Sequence, residues 1–360
     1  MSDVKELDIH GWEKVYVKEL YGGYVAIIAI HNTNRGPALG GCRFFHYDNH
    51  PAKQMLALED ALRLSRGMTY KAAAANLPLG GGKSVIIRDF YEPIPGVRRN
   101  LFHSFGDFVE SLQGRYITAE DVGTTTDDMV YVYERTSHVV GLPEEQGGLG
   151  DPSPVTAIGI AEAIRWFTEN HFKKDPGEIS VLVQGLGKVG WYLMEFLNER
   201  GYRLLYTDVS QKKIDMAREK YPDAEYVQPD DVFDVEVDIF SPNALGKVIN
   251  HETVDKIKAK VVAGAANNQV ENRHVAQRLH ERGILYAPDY AINLGGLTLV
   301  YYEYEHRQGK IDSKDRAKEI AIEKTKENVW KNLDEIIPLS IEKNTSPYIL
   351  ADQIMEKRWK

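Results

Sequence analysis

The stretch Ile179-Ser-Val-Leu-Val-Gln-Gly185-Leu-Gly187-Lys-Val-Gly190 constrains this chain more than any other. A short apolar run meets glycines spaced G-x-G-x-x-G, and Trp191-Tyr-Leu-Met continues as an amphipathic helix. Arg203-Leu-Leu-Tyr-Thr-Asp208 then reads as a second strand, ending in an acid 18 residues past Gly190. The glycine spacing alone is a weak signal. Set in strand, turn, helix and strand, with an acid at that distance, it marks a dinucleotide-binding fold. Leu186, Lys188 and Val189 complete the loop, whose glycines let a pyrophosphate approach the helix N-terminus and its free N–H groups. Asp208 is placed to accept from the adenosine ribose hydroxyls, and its carboxylate repels a 2′-phosphate, which favours NAD over NADP. Lys212 and Lys213 lie somewhat beyond.

The alternation of strand and helix continues. Helices are expected over 210–221 and 251–259, and strands at 224–227, 237–243, 261–268 and 284–288. Short connections between such elements indicate a mostly parallel, doubly wound sheet. Asn267 and Asn293 fall at two strand ends among small residues. Ligands of open α/β sheets lie outside those ends. Each asparagine is therefore either a ligand contact or a helix cap. Helices are also expected over 296–305, 312–333 and 346–360.

In the first half, 24–30 is β-branched and apolar throughout, the pattern of a strand buried on both faces. A helix over 52–66 delivers the chain to Gly67-Met-Thr-Tyr-Lys71 and then to Gly80-Gly-Gly-Lys83, which precedes a strand at 84–88. Between Met68 and Ile87 the only ionisable side chains are Tyr70, Lys71 and Lys83. Two ammonium groups in such surroundings depress one another's pKa by desolvation and repulsion, a route to a lysine base near neutral pH. The alternative is a glycine-rich turn with a snorkelling lysine. Phe102, Phe105, Phe108, Val109 and Leu112 sit at helical spacing and belong to a core. After a strand beginning near Arg115, Asp127 or Asp128 is an expected helix cap. Asp121, before Val122 and Gly123, is the better candidate for a site acid. The linker is expected at Gly147-Gly-Leu-Gly-Asp-Pro-Ser-Pro.

The net charge of -9, with no long basic run, argues against a nucleic-acid partner. The single cysteine, Cys42, excludes an intrachain disulfide framework and suits a reducing cytoplasm. The N-terminal residues lack the layout of a signal peptide, and no apolar run is long enough to span a bilayer. No metal site is expected. A nicotinamide site with a cationic pocket points to hydride transfer on a small, carboxylate-bearing substrate.

The same residues resemble the glutamate/leucine/phenylalanine/valine dehydrogenases. Gly36-Pro-Ala-Leu-Gly-Gly-Cys-Arg, Met68-Thr-Tyr-Lys71, Gly80-Gly-Gly-Lys83, Thr118-Ala-Glu-Asp121-Val-Gly, Gly264-Ala-Ala-Asn-Asn-Gln and Ala287-Pro-Asp-Tyr-Ala-Ile-Asn293 match that pattern in order. The resemblance is nearest to the leucine branch, with phenylalanine and tryptophan dehydrogenases near. It implies an α/β fold in two parts: a substrate and oligomerisation domain over 1–146, rejoined by a C-terminal helix at about 335–360, and a Rossmann domain over 147–334, with a cleft between them. It also implies NAD-dependent oxidative deamination of an apolar L-amino acid to the 2-oxo acid, ammonia and NADH, by a homo-oligomer.

By carry-over, Lys71 holds the substrate carboxylate, Lys83 is the base that activates water, and Asp121 handles protons on the amine. Gly40 and Gly41 approach the substrate with Met68 nearby, and Asn267 and Asn293 orient substrate and nicotinamide. Thr156 joins the cofactor set. The side-chain pocket falls on Leu39, Ala119, Leu297 and Val300. Ala119 is of the leucine type, whereas Leu297 resembles the aromatic-specific members, so an aromatic substrate stands as the alternative. A dinucleotide sensor without turnover is the rival of another class; Lys83 and Asp121 argue against it. The chain departs from the pattern at Ser241-Pro-Asn243-Ala-Leu-Gly-Lys247, which sets a lysine near the adenine side, and at Leu294.

Overall fold

The computed structural model describes residues 4–47, 52–88 and 93–360. The chain forms two compact units: Met1–Gly150 with Leu299–Glu319 and Arg358–Lys360, and Asp151–Thr298 with Ile320–Lys357. Sequence alone suggests a break at 146/147 and a return of 335–360 to the first domain. The compact units break after Gly150, and of that stretch only Arg358–Lys360 falls in the first.

The first unit holds β1 (Lys5–Leu7), β2 (Lys14–Glu19), β3 (Val25–Asn32), β4 (Ala38–His46), α1 (Lys53–Ala74), β5 (Gly80–Arg88), α2 (Pro95–Glu110), β6 (Tyr116–Glu120) and α3 (Thr126–Tyr133). Its sheet has the order β1-β2-β3-β5-β4-β6. The strands from β1 to β5 run antiparallel, while β4 is parallel to both β5 and β6. As its composition requires, β3 is buried on both faces. Ile28 and Ile30 join Phe44, Ile86 and the α2 residues Phe102, Phe105 and Phe108 on one side. Ile27 and Ala29 join Val85, Ile87 and the α1 residues Ala57 and Ala61 on the other. Each buried phenylalanine contributes about 1.5–3 kcal/mol relative to exposure.

Two local expectations change. First, α1 does not stop at Arg66 but runs through Gly67 to Ala74, so Lys71 stands in its last turn, not in a loop. A glycine inside a helix costs only about 1 kcal/mol relative to alanine. The run Ala72–Ala74, fully buried, offsets that cost. Likewise Gly80–Gly82 lie inside β5. Second, the cap of α3 is Thr125; Asp128 closes the capping box from the third position and pairs with Arg98 at 2.6 Å.

The second unit contains α4 (Ser153–Trp166), β7 (Ser180–Gln184), α5 (Lys188–Glu199), β8 (Arg203–Thr207), α6 (Gln211–Lys220), β9 (Glu225–Tyr226), β10 (Ile239–Pro242), β11 (Val261–Val262), α7 (Arg273–Glu281), β12 (Leu285–Tyr286) and α8 (Asp289–Ile292). The chain changes unit within α9 (Gly295–Arg307), within α10 (Lys314–Lys343) and at the end of α11 (Pro347–Trp359). The sheet order is β12-β11-β10-β7-β8-β9, parallel throughout. The direction of winding reverses between β7 and β10, where such sheets bind their ligands. The expected helix at 251–259 is instead a set of turns. The Asn250 side chain accepts from the Glu252 and Thr253 amides, holding the segment in a local turn that competes with a helix.

Candidate active site

In the first unit, side-chain alternation decides what meets. The register pairs Leu39 with Gly81, Cys42 with Ser84 and Gly41 with Ala119. Leu39, Gly41 and Arg43 of β4, Gly81 and Lys83 of β5, and Ala119 of β6 therefore share one face. That face is crossed by α1: a Cβ on Gly81 would lie 2.2 Å from the Thr69 backbone nitrogen. Gly40 faces the other way, its carbonyl accepting from Tyr116 Oη at 2.5 Å. Met68 and Lys71 follow on α1 and are half-buried.

Lys83 is 5% exposed, and its Nζ lies 2.9 Å from Asp121 Oδ2. Asp121 stands just past β6, its backbone N–H donating to Thr124 Oγ1 at 2.8 Å. Burial pushes the Lys83 ammonium below the ordinary lysine range; Asp121 opposes that shift and the Arg43 guanidinium adds to it. Burial is thus a larger cause than the repulsion expected of Lys71, and Arg43 is one cation that assists. Burial works to raise the Asp121 carboxyl, but Lys83 and Arg43 outweigh it and hold the group below its usual value. The result is an ionised carboxylate against an amine that gives up its proton more readily than a surface lysine does.

In the second unit, Gly185 follows β7 with φ +93°, in the left-handed region, and a Cβ there would lie 2.8 Å from Ala244 Cβ. Gly187 is the N-cap of α5, and a Cβ on Gly190 would strike the Gly185 carbonyl oxygen at 1.9 Å. Leu186 is buried, Val189 half-buried, and Lys188 pairs with Asp151 at 3.3 Å. Asp208 is drawn back onto the glycine loop. It accepts from the Leu186 N–H at 2.6 Å and the Ser210 N–H at 2.8 Å, with Lys213 Nζ at 3.6 Å. A pocket of about 630 Å³ opens here, lined by Leu186, Gly187, Lys188, Trp191, Lys212 and Lys213 among others. Its lining does not include Lys247, whose backbone N–H instead donates to the Asn268 carbonyl at 2.7 Å. A helix N-terminus, a glycine cradle and an acid at the end of β8 suit a dinucleotide.

The two asparagines meet: Asn293 Nδ2 donates to Asn267 Oδ1 and to the Ala265 carbonyl, each at 3.1 Å. Asn293 is 2% exposed and its Oδ1 receives no hydrogen bond from a described residue, whereas Asn267 is exposed. Thr156 lies in the first turn of α4, where its hydroxyl donates to the Pro152 carbonyl. Leu297, buried, and Val300, half-buried, are one turn apart on α9.

Several residues that stood in quoted motifs without a role prove to support the site. Asn243 Oδ1 accepts from the Ala265 N–H at 3.0 Å, tying the turn after β10 to the asparagine loop. Gln269 braces the same loop by donating to the Gly264 and Ala266 carbonyls. Asp289 accepts from the Asn268 N–H. Arg43 also stood in a quoted motif, but Asp60, to which it is bound at 2.7 Å, carried no signal.

Comparison with known proteins agrees with this arrangement. Residues 17–138 match the Glu/Leu/Phe/Val dehydrogenase dimerisation domain, and residues 204–351 match the Glutamate/Leucine/Phenylalanine/Valine dehydrogenase model. The leucine dehydrogenase of Geobacillus stearothermophilus is 42% identical, across 99% of this chain and 93% of that protein. The phenylalanine dehydrogenase of Caldalkalibacillus thermarum is also 42% identical, over 99% and 94%. The crystal structure of L-tryptophan dehydrogenase from Nostoc punctiforme superimposes with a TM-score of 0.80 at 36% identity, covering 97% of this chain and 96% of that one. By these matches, this chain belongs to the glutamate/leucine/phenylalanine/valine dehydrogenase family and is an amino-acid dehydrogenase.

Proposed function

We propose that the protein catalyses NAD-dependent oxidative deamination of a branched-chain aliphatic L-amino acid, reversibly, to the 2-oxo acid and ammonia. The observation that carries the chemistry is the buried Lys83 Nζ, 2.9 Å from Asp121 Oδ2. In this reading Lys83, unprotonated, takes a proton from the water that adds to the imine carbon. Asp121 takes and returns protons at the substrate amine, and Lys71, charged, holds the substrate carboxylate. Gly41 leaves room for the substrate beside Lys83. Asn293 fixes the Asn267 amide so that its Nδ2 is presented for donation. Met68 on α1, with Leu39 and Ala119 on the sheet face of the same unit, would supply apolar contacts for the substrate side chain.

The glycine loop 185–190, Asp208, Thr156 and Asn267 would hold NAD, which supplies the hydride acceptor when bound. Asp208 supports NAD over NADP, because its carboxylate disfavours a second phosphate at the ribose. Ala119 and the similarity to leucine dehydrogenases support an aliphatic substrate. Leu297, with phenylalanine and tryptophan dehydrogenases among the relatives, favours the aromatic reading instead. Such pockets discriminate by only about 1–3 kcal/mol per methylene. The test is kcat/KM for leucine, valine, isoleucine, phenylalanine and tryptophan with NAD and NADP. A clear aromatic preference overturns the aliphatic assignment, and NAD binding with no turnover on any amino acid supports a sensor. Assembly as a homo-oligomer, in line with the dimerisation-domain match, is checked by light scattering.

A further inference from the structure

Asp121 Oδ2 is held by two cations at once, Lys83 Nζ at 2.9 Å and Arg43 Nε at 3.0 Å. Arg43 is itself bound on its far side, where Nη1 donates to Asp60 Oδ2 at 2.7 Å. Asp60, on α1, is in turn fixed by the Tyr47 hydroxyl at 2.9 Å and by Arg63 at 2.6 Å. All three members of the bridge are largely withdrawn from solvent: Arg43 is 19% exposed, Asp60 17% and Asp121 24%. Asp121 Oδ1 receives no hydrogen bond from a described residue, so the bridge occupies one carboxylate oxygen and leaves the other for a ligand.

We propose that Arg43 is a positioning residue which, pinned by Asp60, turns the Asp121 carboxylate onto Lys83 and sets the charge balance of that pair. The proposal rests on the reading of Lys83 and Asp121 as the reacting pair. The geometry asks for arginine. A planar guanidinium offers Nε and Nη1 as donors on different edges with fixed directions, so it spans two carboxylates that a lysine ammonium cannot span in register. Cys42 and Arg43 on β4 and Asp121 after β6 act on Lys83, while α1, over the same face, carries Asp60, Arg63, Arg66, Tyr70 and Lys71. Among these Arg43 lowers the proton affinity of Lys83 and of Asp121 alike.

The pH dependence of kcat/KM tests this in Arg43→Gln, Arg43→Lys and Asp60→Asn, beside Lys83→Ala. Removing the guanidinium should move the midpoint of the limb that reports the base upward by about one pH unit. Arg43→Lys should restore part of that shift. Asp60→Asn, which leaves the Arg43 charge uncompensated, should move the midpoint downward. Midpoints that stay put, or that move the same way in Arg43→Gln and Asp60→Asn, overturn the proposal and leave Arg43 a structural ion pair. If Arg43→Gln does not fold, the sign of the Asp60→Asn shift decides alone. Retained turnover in Lys83→Ala would instead refute the underlying base assignment. An inactive Lys83→Ala with unmoved midpoints would refute only the role of Arg43.

Discussion

Gly41 passes so close to Lys83 that a Cβ on the glycine would lie 3.3 Å from the lysine Nζ, and 2.8 Å from Asp121 Cβ. The glycine therefore sets the space in front of the lysine–aspartate pair. Gly41→Ala should lower kcat about 100-fold with a modest loss of Tm, since its Cβ would also lie 2.8 Å from the Glu120 carbonyl oxygen and small displacements of reacting groups are costly. Gly40→Ala differs, because its Cβ would meet the Gly82 carbonyl oxygen at 1.7 Å and must push strand from strand. It should lower Tm far more. Steady-state rates and thermal melts of the two variants separate these outcomes; full activity in Gly41→Ala would refute the steric argument.

Lys83→Ala should reduce kcat by about 10²–10⁴-fold, the usual contribution of a positioned base. NADH affinity, read by fluorescence titration, should stay within about twofold, as the base adds no cofactor contact in this reading. The wild-type rate should rise with pH as Lys83 loses its proton. Because burial depresses its pKa, the rise should level off below the ordinary lysine value of 10.5.

Asp208→Ala removes the acceptor for the Leu186 and Ser210 N–H groups as well as the proposed ribose contact. Hydrogen bonds to a charged group are worth about 1.5–3 kcal/mol each. The Kd for NADH should rise at least about tenfold, while kcat at saturating cofactor should change little. An unchanged Kd would exclude Asp208 from cofactor binding.

His31 is buried between Trp12 and Trp359, its Nδ1 2.8 Å from Thr69 Oγ1. Burial, with the Arg66 charge adding, depresses its pKa from 6.5 to about 4. The folded state therefore binds this proton less well than the unfolded chain does. The stabilisation is complete above pH 6.5 and is lost as pH falls towards 4, on the order of 2–3 kcal/mol in all. Urea unfolding between pH 7 and pH 4.5 should show a shallower loss in His31→Gln than in the wild type. Equal slopes would exclude His31 as a source of the acid sensitivity.

The second unit was readable because its signals are local. Gly185, Gly187, Gly190 and Asp208 lie within one strand–turn–helix–strand unit, so spacing along the chain fixes spacing in space. The burial of β3 on both faces was equally plain, since an unbroken β-branched run allows little else. By contrast, the helix expected at 251–259 failed because the Asn250 side chain holds a local turn that apolar periodicity does not register. Gly67 failed as a stop for the opposite reason, as packing on the sheet carries α1 past it.

Sequence by itself determined the parallel α/β half and the glycine cradle, and it singled out Lys83 and Asp121 as candidates. Tertiary structure alone decided what surrounds that pair. Arg43 and Asp60 meet because β4 and α1 pack across one sheet face, and Asn293, which caps the C-terminus of α8 and is not at a strand end, meets Asn267 in the turn that follows β11. The proton affinity of Lys83 depends on burial and on charges brought within hydrogen-bonding distance by that packing, and neither is a property of the order of residues along the chain.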